Sequence, residues 1–279
     1  MRTLFAKFVT LHATFVFASL VLVAQLLRLR QGRGSVFDMA PRWWARWIAW
    51  SAGMRVVTHG REAIDASQPH IYVANHVSIM DIPAILHSVP DHGFVAKREL
   101  SRVPLFGPAA RAVGVVYIDR ENRKSAFAAY EEAADNVRAG RSVIVFPEGT
   151  RGAEYGLREF KKGPFVLAIR SGVPIIPVII HGTIEVTPNG TLDVTPGTVN
   201  IHLLEPVPTA GLSYDDRNVL AETVRGRMAE AMASRYGVSP ALIESRRGAA
   251  SVAASPATGS GVRASSESAA ASSSSLEAR

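Results

Sequence analysis

Asn75-His76-Val77-Ser78-Ile79-Met80-Asp81 places an imidazole and a carboxylate five residues apart, directly after the apolar run Ile71-Tyr72-Val73-Ala74. Such a pair can take a proton from a hydroxyl, with His76 as general base and Asp81 holding the ring. On one continuous helix the two would stand about 140° apart, at ~3.6 residues per turn. They meet only if His76 precedes the helix and Asp81 lies in its first turn. Ser78-x-x-Asp81 resembles a capping box, which starts the helix at Ser78. Pro83 then falls one turn in and deletes a backbone bond. A start at Asp81 avoids that loss and uses the carboxylate as a cap. A capping pair with no chemistry fits the same residues, and the pattern alone leaves both readings open.

The second set is cationic and hydroxylic. Phe146-Pro147-Glu148-Gly149-Thr150-Arg151 follows the run Ser142-Val143-Ile144-Val145. Loops at the C-terminal ends of strands are where α/β sheets hold ligands. Gly149 permits close backbone approach, and Thr150 and Arg151 suit a phosphate. A plain turn with a surface ion pair is the alternative. Lys97 ends one strand-like run, and Asp119-Arg120, a possible local salt bridge, ends another. Lys161-Lys162-Gly163 adds cations that also suit a solvated face.

Several chemistries lose their sequence support. There are no cysteines, which removes disulfides, thiolate zinc sites and a cysteine nucleophile. No Gly-Lys dipeptide, G-x-G-x-x-G, G-x-S-x-G or H-E-x-x-H occurs. The formal charge of +7 and a pI near 10.0 favour anionic partners. The basic residues are scattered and the tryptophans sit beside a lipid-length segment, so nucleic acid is the weaker fit. What is left is an imidazole base acting on the hydroxyl of a phosphorylated substrate.

The elements that must position these groups alternate in type. Candidate strands are Arg55–His59, His70–Ala74, Gly93–Lys97, Gly114–Ile118, Ser142–Phe146, Ile175–His181 and Thr198–Leu204. Phe127, Tyr130, Ala134 and Val137 mark a helix that Gly140 stops. Leu220, Val224, Met228 and Met232 mark another, with a capping-box-like Ser213-x-x-Asp216 at its start. Thr183 to Gly197 reads as loop and turn with room for a hairpin. Alternation of this kind predicts an α/β fold with a mostly parallel central sheet flanked by helices.

Phe8 to Leu27 is almost wholly apolar and spans roughly 30 Å as a helix, long enough for a hydrocarbon core. It lacks a small-x-small cleavage site, and Arg28, Arg30 and Arg33 follow it, which puts the remainder on the cytoplasmic face. Pro41 to Trp50 holds all four tryptophans; Trp43, Trp47 and Trp50 recur at helical spacing, as do Arg42 and Arg46. This is the pattern of an interfacial helix, and also that of a core helix with ordinary buried indoles. The organisation expected is membrane-anchoring helices over 1–54 as an embedded hairpin, a catalytic domain over 55–247, and a disordered Ala/Ser-rich tail over 248–279.

Taken in order, Asn75-His76-x-x-x-x-Asp81, Gly114-x-x-Tyr117-Ile118-Asp119-Arg120, Phe146-Pro147-Glu148-Gly149-Thr150-Arg151 and Val173-Pro174-Ile175-Ile176-Pro177 resemble the four blocks of the glycerolipid acyltransferases. The bacterial 1-acylglycerol-3-phosphate acyltransferase group is the nearest match. The likeness runs from about Arg55 to Leu204, and its one departure is Tyr117 where phenylalanine is common. It implies acyl transfer from acyl-CoA or acyl-carrier protein to lysophosphatidic acid, giving phosphatidic acid, at the cell membrane and without a metal or other cofactor. It also implies that His76 takes the hydroxyl proton while Asp81 fixes the tautomer. By the same likeness Arg120, Glu148, Gly149, Thr150 and Arg151 bind the glycerol phosphate, joined by Lys97 and Lys161, and Val173, Pro174 and Pro177 shape the acyl or donor side. Glycerol 3-phosphate or a lyso-ornithine lipid is the alternative acceptor. A non-catalytic module for anionic lipid is the alternative class.

Overall fold

Runs of apolar residues with no polar alternation belong in a sheet covered on both faces, and the centre of this protein is built from three of them. The computed structural model describes residues 1–89, 92–119 and 122–238. Arg120 and the segment from residue 239 onward, the Ala/Ser-rich tail included, lie outside the described residues. In chain order the elements are α1 (Arg2–Leu26), α2 (Val36–Ala52), β1 (Met54–His59), β2 (Ile71–Ala74), α3 (Asp81–Ser88), β3 (His92–Lys97), α4 (Phe106–Ala112) and β4 (Val116–Ile118). They continue with α5 (Arg123–Arg138), β5 (Ser142–Val145), α6 (Gly163–Ser171), β6 (Ile175–His181), α7 (Thr183–Val186), β7 (Gly197–Leu203) and α8 (Arg217–Tyr236).

The strands form one sheet in the order β1-β7-β6-β2-β5-β3-β4. All pairings are parallel except β6 with β7. Residues alternate between two cores, as the period of a strand requires. Ile71 and Val73 join Val143, Val145, Ile175 and Ile179 under α5, α6 and α8. Tyr72 and Ala74 join Ile144, Ile176, Val178 and Ile180 under α2 and α3. Leu220, Val224, Met228 and Met232 line the inner face of α8, and Ser213 with Asp216 forms the expected capping box one turn ahead of it. Because β2, β3, β4, β5 and β6 run the same way, the loops after them leave one edge of the sheet together.

Two expected boundaries move. Val115 donates to Ala110 O and Gly114 to Arg111 O, so these residues finish α4 and the strand begins at Val116. Thr183–Val186 is a turn of helix, and no strand forms over 187–196, so the hairpin is absent. Thr195 N donates to Val186 O instead, which closes that segment as a loop.

α1 and α2 pack as an antiparallel pair. Arg2 Nη2 donates to Trp50 O at 3.3 Å at one end, Trp44 Nε1 to Thr14 Oγ1 at 3.0 Å near the middle, and Phe37 and Ala40 meet Ala18 and Val21 at the other. The residues α1 buries are mostly small, among them Ala6, Ala13, Ala18 and Ala24, which lets the helices approach closely. Its large side chains, Leu4, Phe8, Leu11 and Phe15, point outward. Of the tryptophans, Trp43, Trp47 and Trp50 are exposed and Trp44 is partly buried against the sheet-side core.

Candidate active site

β2 ends at Ala74, and the next residue extends the sheet with its side chain. Asn75 Nδ2 donates to Ile180 O at 3.0 Å, and Ile180 N donates to Asn75 Oδ1 at 2.8 Å. The amide thus occupies the place of one more peptide in the ladder with β6, while the main chain turns out of the sheet and delivers His76 to its edge. Both main-chain groups of His76 are held there. Its N–H donates to Glu148 Oε1 at 3.0 Å, and its carbonyl accepts from Gly152 N at 2.8 Å. Its ring stacks on Phe146, with centroids 4.1 Å apart and planes 19° from parallel.

His76 Nδ1 lies 2.8 Å from Asp81 Oδ2. α3 starts at Asp81, not at Ser78, so the capping box proposed there does not form. The carboxylate reaches back instead: Oδ2 also accepts from Val77 N at 2.7 Å and Ser78 N at 2.8 Å. Pro83 is then the third residue of the helix, where the missing N–H would have had no intrahelical partner. The helix keeps its first regular bond, from Ala84 N to Met80 O. Ser78 turns inward and donates to Thr187 O at 2.7 Å.

Thr183, which opens α7 just past β6, completes the arrangement. Its hydroxyl donates to Asp81 Oδ1 at 2.6 Å, and both side chains are fully buried. Sequence reading missed this residue because it is 102 positions from its partner. A hydroxyl just past a buried parallel strand, on the ligand-bearing edge, was the available signal.

With Nδ1 engaged by the carboxylate, Nε2 is the ring nitrogen left to act as a base. His76 opens onto a groove of about 1260 Å³. Gly149, Thr150 and Arg151 line it beside His76, whose carbonyl holds the next residue of that loop, and Lys97 and Glu99 line it from the end of β3 onward. Away from the imidazole the walls are apolar, running between α1 and α4 past Ala18, Val21, Ala109 and Val113. One end therefore suits an anion and the other a hydrocarbon chain.

Glu148 sits elsewhere than expected. It is buried below the loop, and its two oxygens accept from His76 N and from Arg158 N at 3.2 Å. Burial raises its pKa to about 7, partly offset by these two backbone bonds, and the nearby Asp81 charge adds to the rise. A carboxylate so placed positions the loop and does not face a substrate phosphate. Lys161 is exposed and does not line the groove; its N–H ties to Pro147 O at 2.9 Å. Asp119 pairs with Arg98 at 2.9 Å and accepts from Asn122 N, and its sequence neighbour Arg120 lies outside the described residues. Val173 and Pro174 precede β6 at the opposite edge of the sheet, and Pro177 is paired with Val73 inside it. None of the three lines the groove, so the fourth block builds the sheet and does not shape the acyl side.

An acyltransferase family model matches residues 55–181, which span all four blocks. The 1-acyl-sn-glycerol-3-phosphate acyltransferase alpha of Ovis aries is 35% identical over 183 residues, covering 65% of this chain. The chain spans 64% of the length of that relative. The human beta form is 30% identical over 223 residues, 79% of this chain and 80% of its own length. This chain belongs to the 1-acyl-sn-glycerol-3-phosphate acyltransferase family. The crystal structure of the 1-acyl-sn-glycerophosphate acyltransferase PlsC from Thermotoga maritima superposes with a TM-score of 0.66 at 31% identity, covering 84% of this chain and 98% of that one. The family shares the mostly parallel sheet flanked by helices. Thr183 falls just beyond the stretch that the acyltransferase model matches.

Proposed function

We propose that this protein transfers a fatty acyl group from a thioester, acyl-CoA or acyl-carrier protein, to the free hydroxyl of lysophosphatidic acid. The observation that carries the reading is the His76–Asp81 pair, held at 2.8 Å at the head of a groove that is cationic at one end and apolar along its length. His76 Nε2 takes the hydroxyl proton, and the alkoxide oxygen forms a bond to the thioester carbonyl carbon. The C–S bond breaks as the tetrahedral intermediate collapses, and the thiolate leaves with the proton from His76. Asp81 keeps the ring in one tautomer and balances the imidazolium, as in a triad whose nucleophile is the substrate's own hydroxyl. Lys97, Thr150 and Arg151 hold the phosphate, and the apolar walls between α1 and α4 accept an acyl chain. The scheme uses no metal and no redox group.

The same reading puts the protein on the cytoplasmic face of the cell membrane, anchored by α1 and α2. Among the described residues α1 is the one helix long and apolar enough to cross a bilayer, and only 28% of its most apolar window is buried. A helix that turns phenylalanine and leucine outward and alanine inward fits lipid better than water.

Thiol release by purified protein given acyl-CoA and lysophosphatidic acid tests the assignment. His76→Ala should lower turnover by roughly 10²–10⁴-fold, the usual contribution of a positioned acid–base group. Circular dichroism and vesicle binding should be unchanged. Near-normal turnover by folded His76→Ala protein would overturn the mechanism, and equal turnover with lysolipids lacking a phosphate would overturn the acceptor.

A further inference from the structure

The chain between Lys97 and α4 forms a knob beside the groove, next to the helix that packs against α1. Arg98–Arg102 is a short 3₁₀ segment, with Ser101 Oγ bonded to Arg98 O at 2.6 Å. Val103 N donates to Leu100 O, and Gly107 N returns to Val103 O at 2.8 Å. Gly107 lies so close to this segment that a β-carbon there would collide with Ser101 O. Between them Leu105 has φ 60° and ψ −54°, and Phe106 N donates to Pro104 O at 2.7 Å. That is a γ-turn with positive φ at its centre, a strained conformation for any residue with a β-carbon. Glycine would adopt it without steric cost. A leucine stands there, 40% exposed, and Leu100 and Val103 are exposed to a similar degree.

Single exposed aliphatic residues are ordinary on a protein surface. Three within six positions, projected by a strained turn that is tied down on both sides, call for a partner. The position of the knob says which one. Leu100 and Phe106 line the groove, and α4 packs Ala109 against Ala18 and Val21 of α1. Around the same groove, Leu11 of α1, Ile79 and Leu192 are also exposed and also lining. The groove mouth is thus rimmed by outward-facing aliphatic side chains from four separate segments. Arg102 lies within the knob and is exposed, as a cation that meets lipid phosphate would be, while Arg98 is paired with Asp119 and Glu99 is exposed beside it.

We propose that the Leu100–Leu105 knob is a second lipid-contact point, beside the same groove that α1 lines. Val103 and Leu105 enter the acyl boundary of the bilayer with Arg102 at the headgroup level. α1 and the knob together seat the groove mouth on the membrane, so that an acceptor moves from bilayer to imidazole without crossing water. This rests on the reading of α1 and α2 as the membrane anchor, and the experiment separates the two claims.

The chain has no cysteine, so each introduced cysteine carries the only label. Full-length Phe8→Cys, Leu105→Cys and Val219→Cys proteins, each bearing a polarity-sensitive dye, are mixed with vesicles of phosphatidylcholine and phosphatidylglycerol. Phe8 is on the outward face of α1, and Val219 is exposed on α8. The proposal expects a blue shift and loss of iodide quenching at positions 8 and 105, with position 219 unchanged. Protection at 8 without protection at 105 overturns the knob and keeps the anchor. No protection at either overturns both. A shift at 105 that needs added acyl-carrier protein, and not vesicles, replaces the lipid contact with a protein contact. Neither Val103 nor Leu105 lines the groove. The double variant Val103→Ser, Leu105→Gly should therefore keep turnover on a monomerically dispersed short-chain acceptor. On a vesicle-embedded acceptor it should lose roughly ten-fold, as for two partly inserted aliphatic side chains. Equal losses on both acceptors would mean that the knob only supports the fold.

Discussion

Replacing Thr183 by valine changes one atom's worth of chemistry at nearly constant shape, and the structure says where the effect lands. Three donors converge on Asp81 Oδ2: His76 Nδ1, Val77 N and Ser78 N. Oδ1 accepts from the Thr183 hydroxyl at 2.6 Å, inside a site where both side chains are fully buried. Valine leaves Oδ1 buried without that donor. A buried bond to a charged group is worth ~1.5–3 kcal/mol, and a carboxylate free to pivot about Oδ2 no longer aligns the imidazole. If the loss falls on the chemical step, kcat drops roughly 10–100-fold. Thr183 does not line the groove, so KM for either substrate should stay within about two-fold. Thr183→Ser keeps the hydroxyl and should recover most of the rate. Steady-state thiol release measures all of this. Unchanged kcat in a folded Thr183→Val protein would refute the reasoning, as would a serine variant no better than valine.

Glu148 gives a stability signature. Its pKa is raised from 4.5 to about 7 in the folded protein, so folded chains hold a proton there that unfolded chains have released. The stability it contributes is complete below pH ~4.5 and is lost as pH rises through about 7, by ~3 kcal/mol in all. Glu148→Gln should remove that slope, and parallel melting-temperature curves for the two proteins would contradict the burial assigned to this carboxyl. For Arg151→Ala, an exposed cation at the phosphate end, the expectation is a roughly ten-fold rise in acceptor KM with kcat nearly constant. A change confined to the donor KM would assign it to the other substrate.

The buried strands could be read from the chain because their environment is simple. Val143-Ile144-Val145 is apolar throughout since helices cover both faces, and β6 is legible for the same reason. β4 was read two residues too long because Gly114 and Val115 look like strand residues but are hydrogen-bonded into the end of α4. Helix propensity could not locate the start of α3, because tertiary bonds to Asp81 override the local capping choice. The candidate pair itself was legible from its types and order, and so were Lys97, Thr150 and Arg151 as lining residues. Glu148 was misassigned since a carboxylate beside a glycine and an arginine gives no sign of whether it faces solvent or the backbone beneath it. Val173, Pro174 and Pro177 were misassigned for a related reason: an ordered block of residues says which positions belong together, not which edge of a sheet each occupies.

Asn75 has a further consequence for how the site opens. The N–H of Ile180 is bonded to a side chain and not to the neighbouring strand. Its exchange with deuterium therefore reports whether that amide is seated, independently of whether the sheet is intact. If Ile180 exchanges no faster than Val178, which lies within the ladder proper, the loop after β2 opens only when the sheet does. Faster exchange at Ile180 alone would mean that the loop carrying His76 lifts as a separate unit, hinged on one asparagine.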